Sequence, residues 1–192
     1  KINGADLHLY PGKNLYTGLN YFEDEFGKAD SLEEDLLNLA SGIYATDLAV
    51  KRDERENYIR SIEITIEVVN IHAVERIKDL LSNALLILSR DNWEIKFVEK
   101  KGRPVAQYQW QKKVGAVLLF SGGLDSMCAA SDFISRKNEL VLVSHNTHAN
   151  KVVDKSQRNV HKILQDFYKT KVRHVHIKVY GRKSDTLLFP EP

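Results

Sequence analysis

A chain of 192 residues with 43% apolar and 28% charged residues has the ordinary globular mix, which excludes disordered and low-complexity readings. One cysteine, Cys128, excludes a disulfide framework, an iron–sulfur cluster and a cysteine-built zinc site, and suits a reducing cytoplasm. The net charge of +2 hides an asymmetry: residues 1–110 carry 14 Lys and Arg against 19 Asp and Glu, whereas residues 111–192 carry 14 against 7 and hold five of the seven histidines.

Two modules are expected on this ground. Residues 1–110 form a small acidic α+β accessory domain, and residues 111–192 a basic domain suited to anionic ligands such as nucleotides. No window approaches ~18 uninterrupted apolar residues, so no membrane-spanning helix is expected. The chain opens with Lys1, lacks an apolar signal core and has its only methionine at Met127, so the start codon is expected upstream.

In chain order, residues 31–50 predict a helix, with Ser31 as cap, Glu34 completing a capping box, and Leu32, Leu36, Leu39, Ile43 and Leu48 at roughly helical spacing. Residues 58–69 alternate, placing Ile62, Ile64, Ile66 and Val68 on one face of a half-buried strand of the antiparallel kind. Residues 71–89 predict one amphipathic helix, and residues 92–100 a second alternating strand with Trp93, Ile95 and Phe97 on one face. Gly102 and Pro104 mark a junction near 101–112. Nothing ahead of it resembles a catalytic constellation.

The rear module changes grammar. Residues 114–120, VGAVLLF, are a continuous apolar run, as expected of a strand buried on both faces of a parallel sheet. A helix through residues 127–137, a strand at 139–144, a helix at 156–171 and a strand at 172–180 follow, and this alternation predicts an open, doubly wound α/β sheet.

Between the first strand and its helix stands SGGLDS, Ser121 to Ser126. Gly122 and Gly123 permit backbone angles other residues resist and let phosphate approach the main chain, while successive amides and the helix N-terminus make an anion nest. The hydroxyls of Ser121 and Ser126 add donors, and Asp125, a carboxylate beside phosphates, calls for a bridging Mg²⁺. The loop is neither a Walker A sequence nor a GxGxxG fingerprint.

SGGLDS resembles the SGGxDS pyrophosphate loop of the PP-loop ATP pyrophosphatases. VLLFSGGLDS, LVLVSHNT and SQRNV resemble the QueC-like branch, relatives of 7-cyano-7-deazaguanine synthase. IYATDLAVKR, RSIEITIEVVN and DNWEIKF in the front half are similar to the extra N-terminal domain of QueC-like proteins from bacterial antiphage defence operons. The resemblance implies a Rossmann-like ATP-binding domain of which this chain holds the first three strands of about five. It further implies a carbon–nitrogen ligase that uses ATP and Mg²⁺ to adenylate a carboxylated 7-deazaguanine, so that ammonia or an amine of a partner protein from the same operon displaces AMP. Phe120, Ser121, Gly122, Gly123, Leu124, Asp125 and Ser126 would hold ATP and pyrophosphate, with Asp125 and Ser121 at the chemistry, Asp125 toward Mg²⁺, and Ser144 and His145 on the adenine side. The family's zinc-binding cysteines have no counterpart, so no zinc site is expected. The rival readings are another PP-loop enzyme, such as a tRNA-modifying ligase (thiolation being disfavoured by the single cysteine), and a non-catalytic ATP-binding subunit of a defence complex.

Other residues read as structural. His145, His148 and His161 fall at no metal-ligand spacing and are taken as solvated loop residues. His174 and His176, two apart on a strand, share a face. Cys128 is assigned to core packing. Lys151, Lys155, Arg158, Lys162, Lys169 and Lys171 form a solvated basic stretch, and nucleic acid is disfavoured as their partner.

Overall fold

The computed structural model describes residues 8–11, 13–52, 57–100, 115–145, 151–177 and 179–181. In chain order the elements are β1 (Leu15–Tyr16), α1 (Leu19–Phe26), α2 (Ser31–Ala49), β2 (Ser61–Val68), α3 (Ile71–Glu75), α4 (Lys78–Ser89), β3 (Asn92–Glu99), β4 (Ala116–Leu119), α5 (Leu124–Ser135), β5 (Leu140–His145), α6 (Lys151–Tyr168), β6 (Arg173–Ile177) and β7 (Tyr180–Gly181). The fold is mixed α/β with parallel sheets. Contacts divide the described residues into two units, 8–16 with 29–100 and residue 181, and 17–28 with 115–180. The segment carrying α1 thus belongs with the second unit, although it lies early in the chain. The junction expected around Gly102 and Pro104, and His148, lie outside the described residues. Among the described residues no helix is long and apolar enough to cross a membrane.

In the first unit β2 and β3 pair in parallel, in register from Ser61 opposite Asn92 to Val68 opposite Glu99. The antiparallel expectation for residues 58–69 is therefore corrected. Alternation reports which face of a strand is buried, not which way its neighbour runs, and α3 and α4 carry the chain back so that β3 starts at the same end. The buried face is as expected: Ile62, Ile64, Ile66 and Val68 cluster with Trp93, Ile95 and Phe97, and with Leu39 of α2 and Val74 of α3. Each such side chain contributes about 1.5–3 kcal/mol on burial.

Two helix details differ from expectation. The cap of α2 is Asp30, whose carboxylate accepts from the Glu33 amide at 2.8 Å while Glu33 reaches back to the Asp30 amide at 2.9 Å. Ser31, one residue inside, is buried and accepts from the Asn70 side chain instead. The single helix expected over 71–89 breaks at Arg76 and Ile77 into α3 and α4. α4 buries none of its residues, leaving Leu80, Ile87 and Leu88 at 73%, 79% and 82% exposure.

The second unit is a three-stranded parallel sheet ordered β4-β5-β6. α5 and α6 lie on one face over a core of Phe120, Ala130, Ile134, Leu140, Leu142, Leu164 and Val172. α1 packs on β6, where the Arg173 guanidinium sits 5.6 Å over the Phe26 ring. Arg173 precedes His174 by one residue and so points to the opposite face, which places α1 there. The run at 114–120 is not buried on both faces as expected: β4 is an edge strand, and Val117 and Leu119 are 66% and 80% exposed. The last predicted strand is split, β6 ending at Ile177 before the two-residue β7. α6 begins at Lys151, earlier than expected from SQRNV.

Candidate functional site

The loop leaves the carboxyl end of β4. Phe120, 1% exposed, is anchored from below when its amide donates to the Val143 carbonyl at 2.7 Å. Ser121 and Gly122 make the turn, Gly122 with φ of +78°, a conformation suited to glycine. Gly123 is extended and caps α5, so Leu124, Asp125 and Ser126 form the helix's first turn. Met127 makes the first intrahelical bond, its amide to the Gly123 carbonyl at 3.0 Å, and amides ahead of that position have no intrahelical acceptor. Ser121, Gly123, Leu124 and Asp125 are exposed. The site is therefore an open helix N-terminus with a favourable dipole and an accessible carboxylate.

The two hydroxyls are already engaged. The Gly123 amide donates to Ser121 Oγ at 3.2 Å, the two serine oxygens lie 3.2 Å apart, and Ser126 Oγ donates to the Gly123 carbonyl at 3.0 Å. This closed ring holds the loop in shape, so the serines act first as a brace and only by exchange as ligand donors.

The motif does not include Gln157, yet this residue forms the loop's back wall. On α6 the stripe Val153, Gln157, Val160, Leu164 and Tyr168 faces inward, and Gln157, a polar residue in an apolar row, is 2% exposed. A Cβ on Gly122 would come within 2.9 Å of Gln157 Cα and 3.0 Å of its N and Cγ, and the Gln157 side-chain oxygen is buried without a hydrogen-bond partner. Ser156 Oγ donates to the Gly122 carbonyl at 3.4 Å. A polar residue on the buried stripe of an amphipathic helix was the available signal.

Ser144 and His145, expected beside adenine, end β5. Ser144 is fully buried, its hydroxyl donating to the Phe120 carbonyl and lying 2.7 Å from His174 Nε2; His145 is exposed. His174 packs edge-on to Phe120 and lies among His161 and His176, with ring centroids 4.8 and 4.0 Å away. His161, taken as a solvated loop residue, sits instead on α6 with its Nε2 2.7 Å from the Val172 carbonyl. Burial, then the neighbouring His176, His161 and Arg158, push the His174 imidazole down to about 3.

The unfolded chain takes up a proton at His174 near pH 6.5 while the folded one does not until about 3. Folding stability should therefore decline as pH falls from 6.5 toward 3 and level off above 6.5, by about 1 kcal/mol per pH unit for this partly screened ring, against a ceiling of ~1.4. Urea melts at successive pH values check this, and His174→Phe should flatten the slope.

Cys128 is exposed, which corrects its assignment to the core: Ala130 and Ile134 take the buried face of α5, and Cys128 lies off it. The six residues of the basic stretch are all exposed, as expected. Among the described residues no group of three or more His, Cys, Asp or Glu could hold a metal unaided. A cleft of about 1450 Å³ at the other end of the strands, between Ile134, Lys137, Leu140 and Lys171, includes no residue of the loop. Compared with family models, curated proteins and solved structures, the chain matches none of them.

Proposed function

We propose that the second unit is a PP-loop nucleotide-binding domain of the QueC-like kind, which binds ATP at SGGLDS and directs it to adenylate a carboxylate. The observation that carries this reading is the strand–loop–helix geometry of Phe120 to Ser126, with an exposed turn of unpaired-type helix amides at the carboxyl end of a parallel strand. Asp125, exposed in that first turn, suits Mg²⁺ shared with phosphate oxygens, since this ion commonly takes one or two carboxylates and completes its shell with phosphate and water. Bound there, Mg²⁺ would neutralise charge building on the pyrophosphate. The main-chain amides would orient the phosphates, and the Ser121–Ser126 ring would keep the loop from collapsing before ATP arrives. The carboxylated 7-deazaguanine, the acceptor amine of ammonia or a partner protein, and a role in phage defence rest on the resemblance of the quoted phrases.

The test uses Gly123→Val. A Cβ at Gly123 meets nothing nearer than Ser121 Oγ at 3.4 Å, and its backbone is extended, so the variant should fold. It should nevertheless lose ATP–Mg²⁺ binding, because branched carbon then occupies the phosphate's approach. Calorimetry giving equal affinities for both proteins rules out the loop as the ATP site; ADP and orthophosphate as products, in place of AMP and pyrophosphate, rule out adenylation.

A further inference from the structure

The Ser144 hydroxyl carries one proton, and it is directed to the Phe120 carbonyl. In the 2.7 Å contact with His174, Ser144 Oγ must then accept, which puts a proton on His174 Nε2. The result is a directed chain, from His174 Nε2–H to Ser144 O–H to the Phe120 carbonyl. That carbonyl shares a peptide group with the Ser121 amide, the first N–H of SGGLDS. Hydrogen bonds in series polarise one another by about 10–30% each, and an amide whose carbonyl is so engaged is a stronger donor. The groups facing the imidazole are His161, Asp154 and Arg158 from α6, His176 from its own strand, Ser144 from β5 and Phe120 beside β4.

We infer that Ser144 and His174 are positioning residues for the loop: they fix the plane of the 120–121 peptide and polarise the Ser121 N–H toward the phosphate of the bound nucleotide. The inference deepens the ATP-binding reading and, for its ligand arm, rests on it. It moves Ser144 from the adenine side to beneath the phosphates.

Three measurements on the whole chain decide it. In ¹⁵N-labelled protein without ligand, Ser144→Ala should shift the Ser121 amide upfield in nitrogen while far-UV circular dichroism stays that of the parent. ATP–Mg²⁺ affinity should fall about two- to fourfold, since only the polarising share of a charge-assisted hydrogen bond at the Ser121 amide is lost. His174→Gln, which retains an N–H donor, should keep more affinity than His174→Phe. An unmoved Ser121 amide in folded Ser144→Ala overturns the proposal, as does a moved amide with unchanged affinity. If the amide moves but the parent protein binds neither ATP nor pyrophosphate, the polarising chain stands and the nucleotide reading falls. Should Ser144→Ala fail to fold, the His174→Gln and His174→Phe pair decides by the same amide, and equal Ser121 shifts in the two overturn the proposal.

Discussion

Asp91→Ala should cost the first unit about 3–5 kcal/mol, the penalty typical of removing one partner of a buried ion pair. Asp91 is fully buried just before β3 and joins four parts of the unit. Its oxygens accept from the Arg60 main-chain amide at 3.0 Å, from the Arg60 guanidinium, and from Arg52 at 2.8 and 2.9 Å. Arg60, 5% exposed, in turn donates to the Asp47 and Val50 carbonyls at 2.9 and 2.6 Å, capping the end of α2, and pairs with the Asp47 carboxylate. Arg52 reaches the Tyr58 and Ser89 carbonyls. Without Asp91 the buried Arg60 charge has, among the described residues, only the half-exposed Asp47 opposite it. Burial by itself would push the Asp91 carboxyl up, but the Arg60 hydrogen bonds and charge outweigh it and hold it well below the usual carboxylate range.

The sign follows from that direction. Asp91 contributes stability in full above the unfolded value near 3.9, and the contribution is lost as pH falls below it. Urea denaturation checks the substitution. With slopes of ~1–3 kcal/mol per molar, the midpoint should drop by about 1 M or more. A joint Asp91→Leu, Arg60→Met replacement should recover part of the loss, because it removes both buried charges but leaves the Arg60 main-chain amide and the Asp47 and Val50 carbonyls without these partners. A midpoint unchanged in Asp91→Ala would show the cluster to be energetically idle.

Gly122→Ala is the second large effect, expected at about 2–5 kcal/mol. Holding alanine at φ of +78° costs ~1–2 kcal/mol, and the new methyl, 2.9 Å from Gln157 Cα, adds about 1–3 kcal/mol of overpacking. The loop and α6 must separate, so ATP binding should disappear along with the thermal stability of the second unit. Trimming the neighbour tests the cause. Gly122→Ala with Gln157→Ala removes the Cγ contact but leaves the Cα and N contacts, so little should be regained. Full rescue by that double substitution would place the conflict in the glutamine side chain and overturn the account. Gly122 is thus required by the fold itself, whereas the fold leaves room for a Cβ at Gly123.

Much of the fold is legible from local pattern. Period-two alternation marks Ile62–Val68 and Trp93–Phe97 as strands with one buried face, because side-chain direction along a strand depends on the chain alone. The glycine pair and the adjoining Asp125 likewise announce a tight strand-to-helix turn. The parallel pairing of β2 with β3 is not legible, since the return path through α3 and α4 decides it. The exposure of Val117 and Leu119 follows from the place of β4 at the edge of its sheet, a matter of strand order and not of hydropathy.

The site divides in the same way. By itself, the sequence determined the loop residues Ser121 to Ser126 and their place between strand and helix, because glycine conformation and helix-end chemistry are local. Only the tertiary structure decided what stands around them. Gln157 is 35 residues beyond Gly122, and His174 is 30 beyond Ser144, yet each pair is in contact. Those contacts arise when α6 lies down on the loop and β6 aligns beside β5, and the buried Ser144 hydroxyl then finds its partners across elements that no local pattern connects.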